Sequence, residues 1–287
     1  MARMDPNSVP DALRRIAPFP PTAVAVLHRV PANAGEAYQV ADLVASDPQW
    51  QADVAQLAAP EAAAEDLEPA AILNELEVDD LVKTAITAAA HAYVHDAGRS
   101  ELRRYWRYSV ACAIASDELA RYGKINRALA YSGGLLHDIG RLALMSSYPE
   151  RYANLLSLAE RMFAEGQEFD ITEYERILFG MDRYSIAQWL AEAWELPALL
   201  VPIVTKYQDT GRVRDLDLIT TVRFGCRLAN SLGFSLMLGA RRAVPRQILG
   251  ELPRLVQSQW TNFNDLRTTI ESRLGSTGLL ARADVAH

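Results

Sequence analysis

The amino-acid sequence predicts an all-α protein. Apolar residues recur at spacings of three and four along almost the whole chain, which is the period of a helix with one buried face. No segment shows the alternation of apolar and polar residues between turn signals that is typical of a strand. Residues that cap helices, or that favour the first helical turn, stand where several of these apolar stripes begin.

The first predicted helices lie before the middle of the chain. Asp47-Pro48 is typical of an N-cap followed by proline at the first helical position. A third helix is predicted from about Ser100 to Tyr122, and Gly123 would provide its left-handed C-cap. Between these two, a helix is indicated by an apolar stripe that consists of Val78, Leu81, Val82, Ala85, Ile86 and Ala89.

Three further helix starts follow. Thr172 and Glu175 have the spacing of a capping box, Asp182 is a candidate N-cap, and Leu196-Pro197 would begin another helix. Polar residues around position 98 and at 209–215 separate the helical runs. We therefore predict three units, which are an N-terminal helical lobe (1–98), a second helical lobe (99–210) and a C-terminal helical extension (211–287) packed on the second lobe.

Composition limits the classes of function. Half of the 287 residues are apolar, which allows a substantial core. The formal net charge of -7 disfavours nucleic-acid binding, because phosphate contacts need concentrated Lys and Arg.

Cys112 and Cys226 lie in apolar helical stretches without a CxxC spacing, which predicts neither a disulfide framework nor a zinc knuckle. No apolar window approaches the roughly 20 residues that span a bilayer, so we expect a soluble cytoplasmic protein without membrane contact.

Several segments occur in the order found in a known family. They are Phe19-Pro20-Pro21, the segment from Val40 to Pro48, the segment from Leu135 to Leu144 with its central His137-Asp138-Ile139-Gly140, and Trp194-Glu195-Leu196-Pro197. Together they resemble the HDOD family, the HD-related output domains of bacterial signalling proteins, over roughly residues 12 to 210. The resemblance implies a two-lobe helical architecture, in which an N-terminal bundle packs on a lobe related to HD metal-dependent phosphohydrolases. It also implies a regulatory role without catalysis.

The same resemblance allows the metal site of active HD enzymes to be traced onto this chain. In those enzymes a histidine on the preceding helix, the His-Asp pair and a later aspartate complete the first metal shell. Alignment places Tyr108 at the first of these positions, 29 residues before His137, and a phenol is a poor ligand near neutral pH. Arg183-Tyr184 and Lys206-Tyr207 stand where further histidines would be, and their cations would repel a metal.

The late aspartate is also hard to find. The helix from Thr220 to Leu232 offers no inward-facing carboxylate, and Asp215 and Asp217 before it are weak candidates. Four histidines fall outside the segments that could complete the site, namely His28, His91, His95 and His287. The sequence therefore predicts a degenerate site in which only His137 and Asp138 remain as ligands, with no catalytic residue, no bound metal and no cofactor.

Two hypotheses explain why the His-Asp pair persists without a metal. Lys206 or Arg183 could provide the positive charge that a buried Asp138 needs. Alternatively, Asp138 caps the helix that follows, and His137 is a satisfied core or rim histidine. Gly133-Gly134, just before the pair, indicates close helix packing rather than phosphate binding, because neither a GxGxxG nor a P-loop pattern accompanies it.

The leading functional hypothesis is a signalling adaptor that engages an unknown partner protein. The first alternative is a residual metal-dependent phosphohydrolase or phosphodiesterase, and its weakness is the number of ligands. The second alternative is a module that senses a cyclic dinucleotide without hydrolysing it, with Arg183, Lys206 or Arg141 contacting phosphate. The input signal, the partner and the oligomeric state stay open.

Overall fold

The structure, a computed structural model, is described for residues 9–30, 37–61, 67–94, 100–205, 213–238, 243–260 and 263–276. Every regular element in these ranges is a helix and no strand occurs in them, which confirms the predicted all-α class. Within the same ranges, no helix is both long enough and apolar enough to cross a membrane.

The helices before the long central one are short to medium in length. They are α1 (Asp11–Arg14), α2 (Pro21–Arg29), α3 (Ala37–Ala45), α4 (Pro48–Ala58), α5 (Pro69–Asn74) and α6 (Val78–His91). The remaining helices include those around the His-Asp pair. They are α7 (Ser100–Ala120), α8 (Arg127–Leu136), α9 (Ile139–Ser147), α10 (Pro149–Ala164), α11 (Ile171–Phe179), α12 (Arg183–Ala193), α13 (Val201–Thr205), α14 (Leu218–Ser231), α15 (Pro245–Glu251), α16 (Arg254–Gln259) and α17 (Phe263–Ser276).

Capping residues set several of these helix starts as predicted. Asp47 accepts a hydrogen bond from the backbone N–H of Trp50, and Pro48 is the first residue of α4. Asp182 accepts hydrogen bonds from the backbone N–H groups of Tyr184 and Ser185, and it begins α12. The apolar stripe that starts at Val78 lies on the buried face of α6.

The predicted capping box at Thr172 and Glu175 was wrong. The N-cap of α11 lies two residues earlier, because Asp170 caps the helix by accepting hydrogen bonds from the backbone N–H groups of Thr172 and Glu173. An Asp side chain satisfies two of the otherwise unpaired N–H groups of the first turn, which leaves nothing for Thr172 to cap. Glu175 is buried and pairs with other side chains.

Two further helix ends differ from the prediction. Helix α7 ends at Ala120, and Gly123 does not adopt the left-handed conformation. Gly123 lies instead where a Cβ atom would come within 2.8 Å of Ile125 Cδ1, so its lack of a side chain serves packing. After Pro197 the chain makes a turn, with Leu200 N–H donating to the Pro197 carbonyl, and α13 begins only at Val201.

Helix α7 lies at the centre of the described structure, and α8, α14 and α17 pack against it. Two of these helices approach it at backbone distance because each presents a glycine. A Cβ atom on Gly134 of α8 would lie 2.7 Å from Ala113 Cα and from the Cys112 carbonyl oxygen, and one on Gly225 of α14 would lie 2.8 Å from the Ser116 nitrogen. The close-packing interpretation of Gly133-Gly134 is confirmed.

A third glycine contact places α9 on α12. A Cβ atom on Gly140 would overlap the carbonyl oxygen of Arg183 and would lie 3.0 Å from the backbone nitrogen of Ala187. Because these are backbone atoms in the first turns of α12, neither helix can yield without moving its neighbours. This contact sets the distance between Arg183 and α9.

A buried carboxylate ties three more helices to α7. Asp117 is fully buried and receives two hydrogen bonds of 2.8 Å from Arg127 of α8. Lys83 of α6 lies 3.3 Å from one carboxylate oxygen and Arg273 of α17 lies 3.4 Å from the other. A buried charge is tolerated only when it is paired in this way, so Asp117 specifies how these helices meet.

Residues that are distant in the sequence meet in a cluster of aromatic rings. The Phe19 ring stacks on Trp194 with 5.5 Å between centroids, and Tyr93 packs on both rings. His28 Nε2 lies 2.9 Å from the carbonyl oxygen of Glu195, whose φ of 53° is left-handed. These contacts join α2 to the turn after α12.

The predicted division into units 1–98, 99–210 and 211–287 stays a prediction. The boundary near residue 98 falls outside the described residues. Buried apolar side chains from Val9 to Leu274 form one continuous cluster, to which all parts of the described chain contribute.

The glycine contact between α9 and α12 predicts a strong effect of a single methyl group. Gly140→Ala forces a Cβ atom onto a backbone carbonyl, and we expect a loss of about 3 kcal/mol or more in the free energy of unfolding. Gly250→Ala is the matched control, because no atom lies within 4 Å of its Cβ position, and alanine favours a helix by up to about 1 kcal/mol. Urea unfolding of both variants measures the difference. Equal stability of the two would contradict this packing.

Candidate functional site

A cavity of about 250 Å³ lies beside the His-Asp pair. It is bounded by residues of α7, of the junction between α8 and α9, of α9, of the first turns of α11 and α12, of α14, and of the segment after α14. The lining residues are Tyr108, His137, Asp138, Arg141, Ile171, Thr172, Arg183, Tyr184, Asn230, Ser235, Leu236 and Met237. Four of the predicted site residues, Tyr108, His137, Asp138 and Arg183, are therefore brought together.

His137 is held at both ring nitrogens. It follows the last residue of α8, and its Nδ1–H group donates to the Gly134 carbonyl oxygen at 2.8 Å. Its Nε2 atom lies 3.3 Å from the hydroxyl group of Tyr108, which also accepts a hydrogen bond of 3.2 Å from the Asn230 side chain. Tyr108 therefore contacts His137 directly, while its assignment to the first ligand position stays a prediction.

Asp138 has its own cation, and it is Arg141. The side chain is 8% exposed, and one carboxylate oxygen lies 2.8 Å from Arg141 Nε, three residues along the chain. Burial raises the pKa of Asp138, while Arg141 and His137 act to lower it. Asp138 stands at the N-cap position of α9, but its side chain makes no capping hydrogen bond. An ion pair at Asp138 is present, as one hypothesis proposed. Its cation is Arg141, which was not one of the two cations proposed for it.

Arg183 pairs with Glu175 instead of Asp138. Its backbone N–H and its Nε–H both donate to Glu175 Oε2 at 3.0 Å, and Nη2 lies 2.8 Å from Oε1. The hydroxyl group of Tyr152 donates to the same Oε1 at 2.5 Å. Because the Glu175 carboxylate already pairs with Arg183, the hypothesis that Arg183 neutralises Asp138 was wrong.

The other predicted residues lie elsewhere. Lys206 and Tyr207 fall outside the described residues, as do His95 and His287. Asp217 caps α14 through the backbone N–H of Thr220 and Asp215 is exposed, and neither lines the cavity. His28 contacts Glu195, and the ring of His91 packs on Trp106 at 5.2 Å between centroids.

Sequence reasoning missed the contacts of four residues around the pair, including Arg141, which it named only as a phosphate contact. The side chain of α14 that faces the cavity is Asn230, which is an amide and not a carboxylate. Arg141 could have been found, because a cation three residues after an acid on a helix is a common pair. Cys112 and Cys226 lie next to His137 on two different helices, and no spacing in the sequence indicates that they meet.

The two thiols and the imidazole influence one another. Burial raises the pKa of Cys226, but hydrogen bonds from Cys112 and His137 and the charge of His137 outweigh it and lower this pKa to about 6. Burial lowers the pKa of His137, yet Cys226 and Asp138 raise it to about 9. Burial raises the pKa of Cys112. The three groups therefore titrate as one unit.

The cavity does not present the donor set that a hard divalent cation requires. Mg²⁺ and Mn²⁺ prefer several oxygen ligands, and an activated water needs an open position beside them. Among the described lining residues, Asp138 supplies the one carboxylate and it is already paired with Arg141, while His137 supplies the one imidazole. Arg183 adds a second guanidinium group to the same wall.

Comparisons with known proteins agree on the fold. The profile of the HDOD domain matches residues 16–210. An HDOD domain protein of unknown function from Geobacter sulfurreducens is 17% identical with a TM-score of 0.66, over 91% of this chain and 97% of that one. No curated protein matches this chain.

Two other solved structures carry functional names. A protein from Marinobacter aquaeolei, provisionally named a signal transduction protein, is 22% identical with a TM-score of 0.65, and the match covers 94% of this chain. This chain spans 64% of the length of that relative. A protein from Shewanella amazonensis, provisionally named a phosphohydrolase, is 17% identical with a TM-score of 0.60, over 95% of this chain and 98% of that one. At these identities the likeness shows the fold alone.

The ion pair between Asp138 and Arg141 predicts the stability of three variants. Arg141→Met leaves a buried carboxylate without its cation, and we expect a loss of about 3–5 kcal/mol in the free energy of unfolding. Adding Asp138→Asn to it removes the orphaned charge, so the double variant should regain part of this loss. Denaturant unfolding of the two single variants and the double variant measures the coupling. Additive losses would show that the two side chains do not stabilise each other.

Proposed function

The chain belongs to the HDOD domain family, and from this premise we propose that it is a regulatory module that acts by contact with a partner protein and does not hydrolyse phosphate esters. The observation that carries the proposal is the ion pair between Asp138 and Arg141. An HD enzyme needs this acid as a metal ligand. Here a metal ion would have to displace a buried guanidinium group, and the released cation would lack a partner.

The electrostatic environment supports the same conclusion. Arg141 and Arg183 both line the cavity and are both buried, so their charges are weakly screened by water. A divalent cation at Asp138 would face both of them. Asn230 and Tyr108 offer neutral oxygens in place of a charged ligand, so they would not compensate for this repulsion.

Residual hydrolysis is the first alternative. A relative that is provisionally named a phosphohydrolase shares the fold, but the likeness does not extend to an argument about activity. Within the described residues, the side chains that face the cavity supply His137 and Asp138 alone from the ligand types of an HD enzyme. We regard this alternative as weaker for that reason.

Binding of a nucleotide messenger is the second alternative, and the cavity does not favour it. Its volume of about 250 Å³ is below the range of about 300–1,000 Å³ that is usual for pockets of small-molecule ligands. Arg141 and Arg183 already contact Asp138 and Glu175, so a phosphate group would compete with two buried carboxylates. Lys206, the third residue of this hypothesis, lies outside the described residues.

An apolar face on α11 supports action through a partner protein. Tyr174, Ile177 and Leu178 lie on one side of this helix and are 37%, 69% and 36% exposed. Exposed large apolar side chains at this spacing are typical of surfaces that bind another protein. The first turn of the same helix contributes Ile171 and Thr172 to the cavity wall, so this face and the cavity wall share one helix.

An activity assay tests the absence of catalysis. We expect no turnover of bis(p-nitrophenyl) phosphate or cyclic dinucleotides by the full chain with Mg²⁺, Mn²⁺ or Fe²⁺, because the acid that would bind the metal is paired. Asp138→Asn should lower the stability without changing this background, and Asp215→Asn, on an exposed acid, should change neither. Metal-dependent turnover that Asp138→Asn abolishes at unchanged stability, and that Asp215→Asn retains, would overturn the proposal.

The role of the α11 face is tested by a charge at its most exposed residue. Ile177→Asp should change the free energy of unfolding by less than about 0.5 kcal/mol, because the side chain is largely in water. It should weaken, at least tenfold, the binding of any partner isolated with the wild-type chain and measured by calorimetry. Leu255→Asp, on the 56% exposed Leu255 of α16, is the matched control and should bind normally. Unchanged affinity of Ile177→Asp would exclude this face.

A further inference from the structure

Behind the wall of the cavity, three metal-binding side chains converge. The Sγ atoms of Cys112 and Cys226 and a ring nitrogen of His137 all lie within 4.8 Å of one another. Both thiols are completely buried, and His137 is 6% exposed. The three residues come from α7, from the end of α8 and from α14, so the tertiary structure alone brings them together.

Two glycine contacts create this convergence. Gly134 lets α8 touch the backbone of α7 at Cys112, and His137 follows one turn later. Gly225 lets α14 touch α7 at Ser116, one turn from Cys112, and the next residue on α14 is Cys226. Each glycine is thus adjacent to a donor, and the two close approaches set the distances between the donors.

The orientation of the imidazole suits a ligand. Its Nδ1–H group donates to the Gly134 carbonyl oxygen at 2.8 Å, which leaves Nε2 as the ring nitrogen that would bind a metal ion in exchange for its proton. Histidines that bind metals usually donate their other ring N–H to a carbonyl or carboxylate in this manner. The Tyr108 hydroxyl lies 3.3 Å from Nε2, between the cluster and the cavity.

We propose that Cys112, His137 and Cys226 form a site for one thiophilic metal ion of the Zn²⁺ class, with its fourth position toward the Tyr108 hydroxyl. Thiolate ligands select such ions over Mg²⁺ and Mn²⁺. In a tetrahedral zinc site, bonds of about 2.3 Å to sulfur and 2.0–2.1 Å to nitrogen place the ligand atoms about 3.6–3.8 Å apart. The donors here need to approach by no more than about 1 Å to reach that geometry.

This site is distinct from the metal site of an HD enzyme. It uses the histidine of the His-Asp pair but not the aspartate, and it takes its charge from two thiolates. The ion would hold α7, α8 and α14 together where they cross, so it would stabilise the fold around the cavity. The expectation that this protein binds no metal would then be wrong for a soft ion, although it would still hold for a hard one at Asp138.

Oxidation is the competing use of the two thiols. A disulfide between Cys112 and Cys226 would form with the loss of two protons and of two electrons to an oxidant such as a peroxide, and it would remove both sulfur ligands. Complete burial of both thiols opposes access of an oxidant. The third donor, His137, has a function in a metal site and none in a disulfide.

Cobalt titration of the reduced full chain tests the proposal, because Co²⁺ in a tetrahedral thiolate site absorbs visible light. We expect one Co²⁺ per chain, with sulfur-to-metal charge transfer, and its displacement by Zn²⁺. Cys112→Ser and Cys226→Ser should each weaken Co²⁺ binding by at least about 100-fold. Losing a side chain that only hydrogen-bonds to a ligand costs about 10–100-fold, and losing a ligand itself should cost more. His28→Ala, far from the cluster, and Asp138→Asn are the controls and should bind one Co²⁺.

X-ray absorption of the zinc-loaded wild-type chain removes the dependence on variants that fail to fold. Two sulfur atoms and one nitrogen around the ion would support the site, and a shell of oxygen and nitrogen alone would overturn it. Absence of Co²⁺ and Zn²⁺ uptake by the reduced wild-type chain would also overturn it, as would formation of the Cys112–Cys226 disulfide by a chain that takes up neither ion. Metal uptake and phosphate-ester turnover are measured separately, so failure of this site is distinguishable from failure of the proposed function.

Discussion

The close approach of α8 and α14 to the central helix α7 is the constraint on which the rest of the structure depends. Gly134 and Gly225 stand at the two crossings, and in each case a methyl group would collide with the backbone of α7. Since backbone atoms cannot rotate away as a side chain can, the helices are fixed at this distance. The positions of His137, Tyr108 and Asn230 around one cavity follow from these two crossings, as does the contact between Cys112 and Cys226.

Charge pairing is the second organising principle of this molecule. Three buried carboxylates, Asp117, Asp138 and Glu175, each face an arginine at 2.8 Å. Paired charges of this kind add little net stability compared with apolar residues, but the loss of one partner is costly. The pairs of Asp117 and Glu175 join different helices, so they specify which helices meet more than they strengthen the fold, whereas the pair of Asp138 with Arg141 is local to the start of α9. Around the His-Asp pair, the same kind of pairing joins Asp138 to Arg141.

The regulatory pocket that we propose would differ from a catalytic one by few side chains. His137 and Asp138 keep the identities found in HD enzymes, while Tyr108 and Asn230 are neutral and Arg141 and Arg183 add positive charge. The proposed loss of hydrolysis and the proposed soft-metal site are compatible, because they use different donors around one histidine. In both proposals the residues around the cavity hold neighbouring helices together. Helix α11, which carries the apolar face, forms part of the cavity wall.

The sequence by itself determined the helical class, most helix starts and the membership of the family. These depend on local physics, namely the helical period of the apolar residues and the hydrogen bonds of caps such as Asp47 and Asp182. Through the resemblance it also singled out Tyr108, which contacts His137 in the structure. Only the tertiary structure decided that Glu175 is buried against Arg183 and that two cysteines 114 residues apart in the chain meet a histidine. Pairings between helices depend on crossing distances, and the glycines that set these distances carry no side chain to indicate what they will touch.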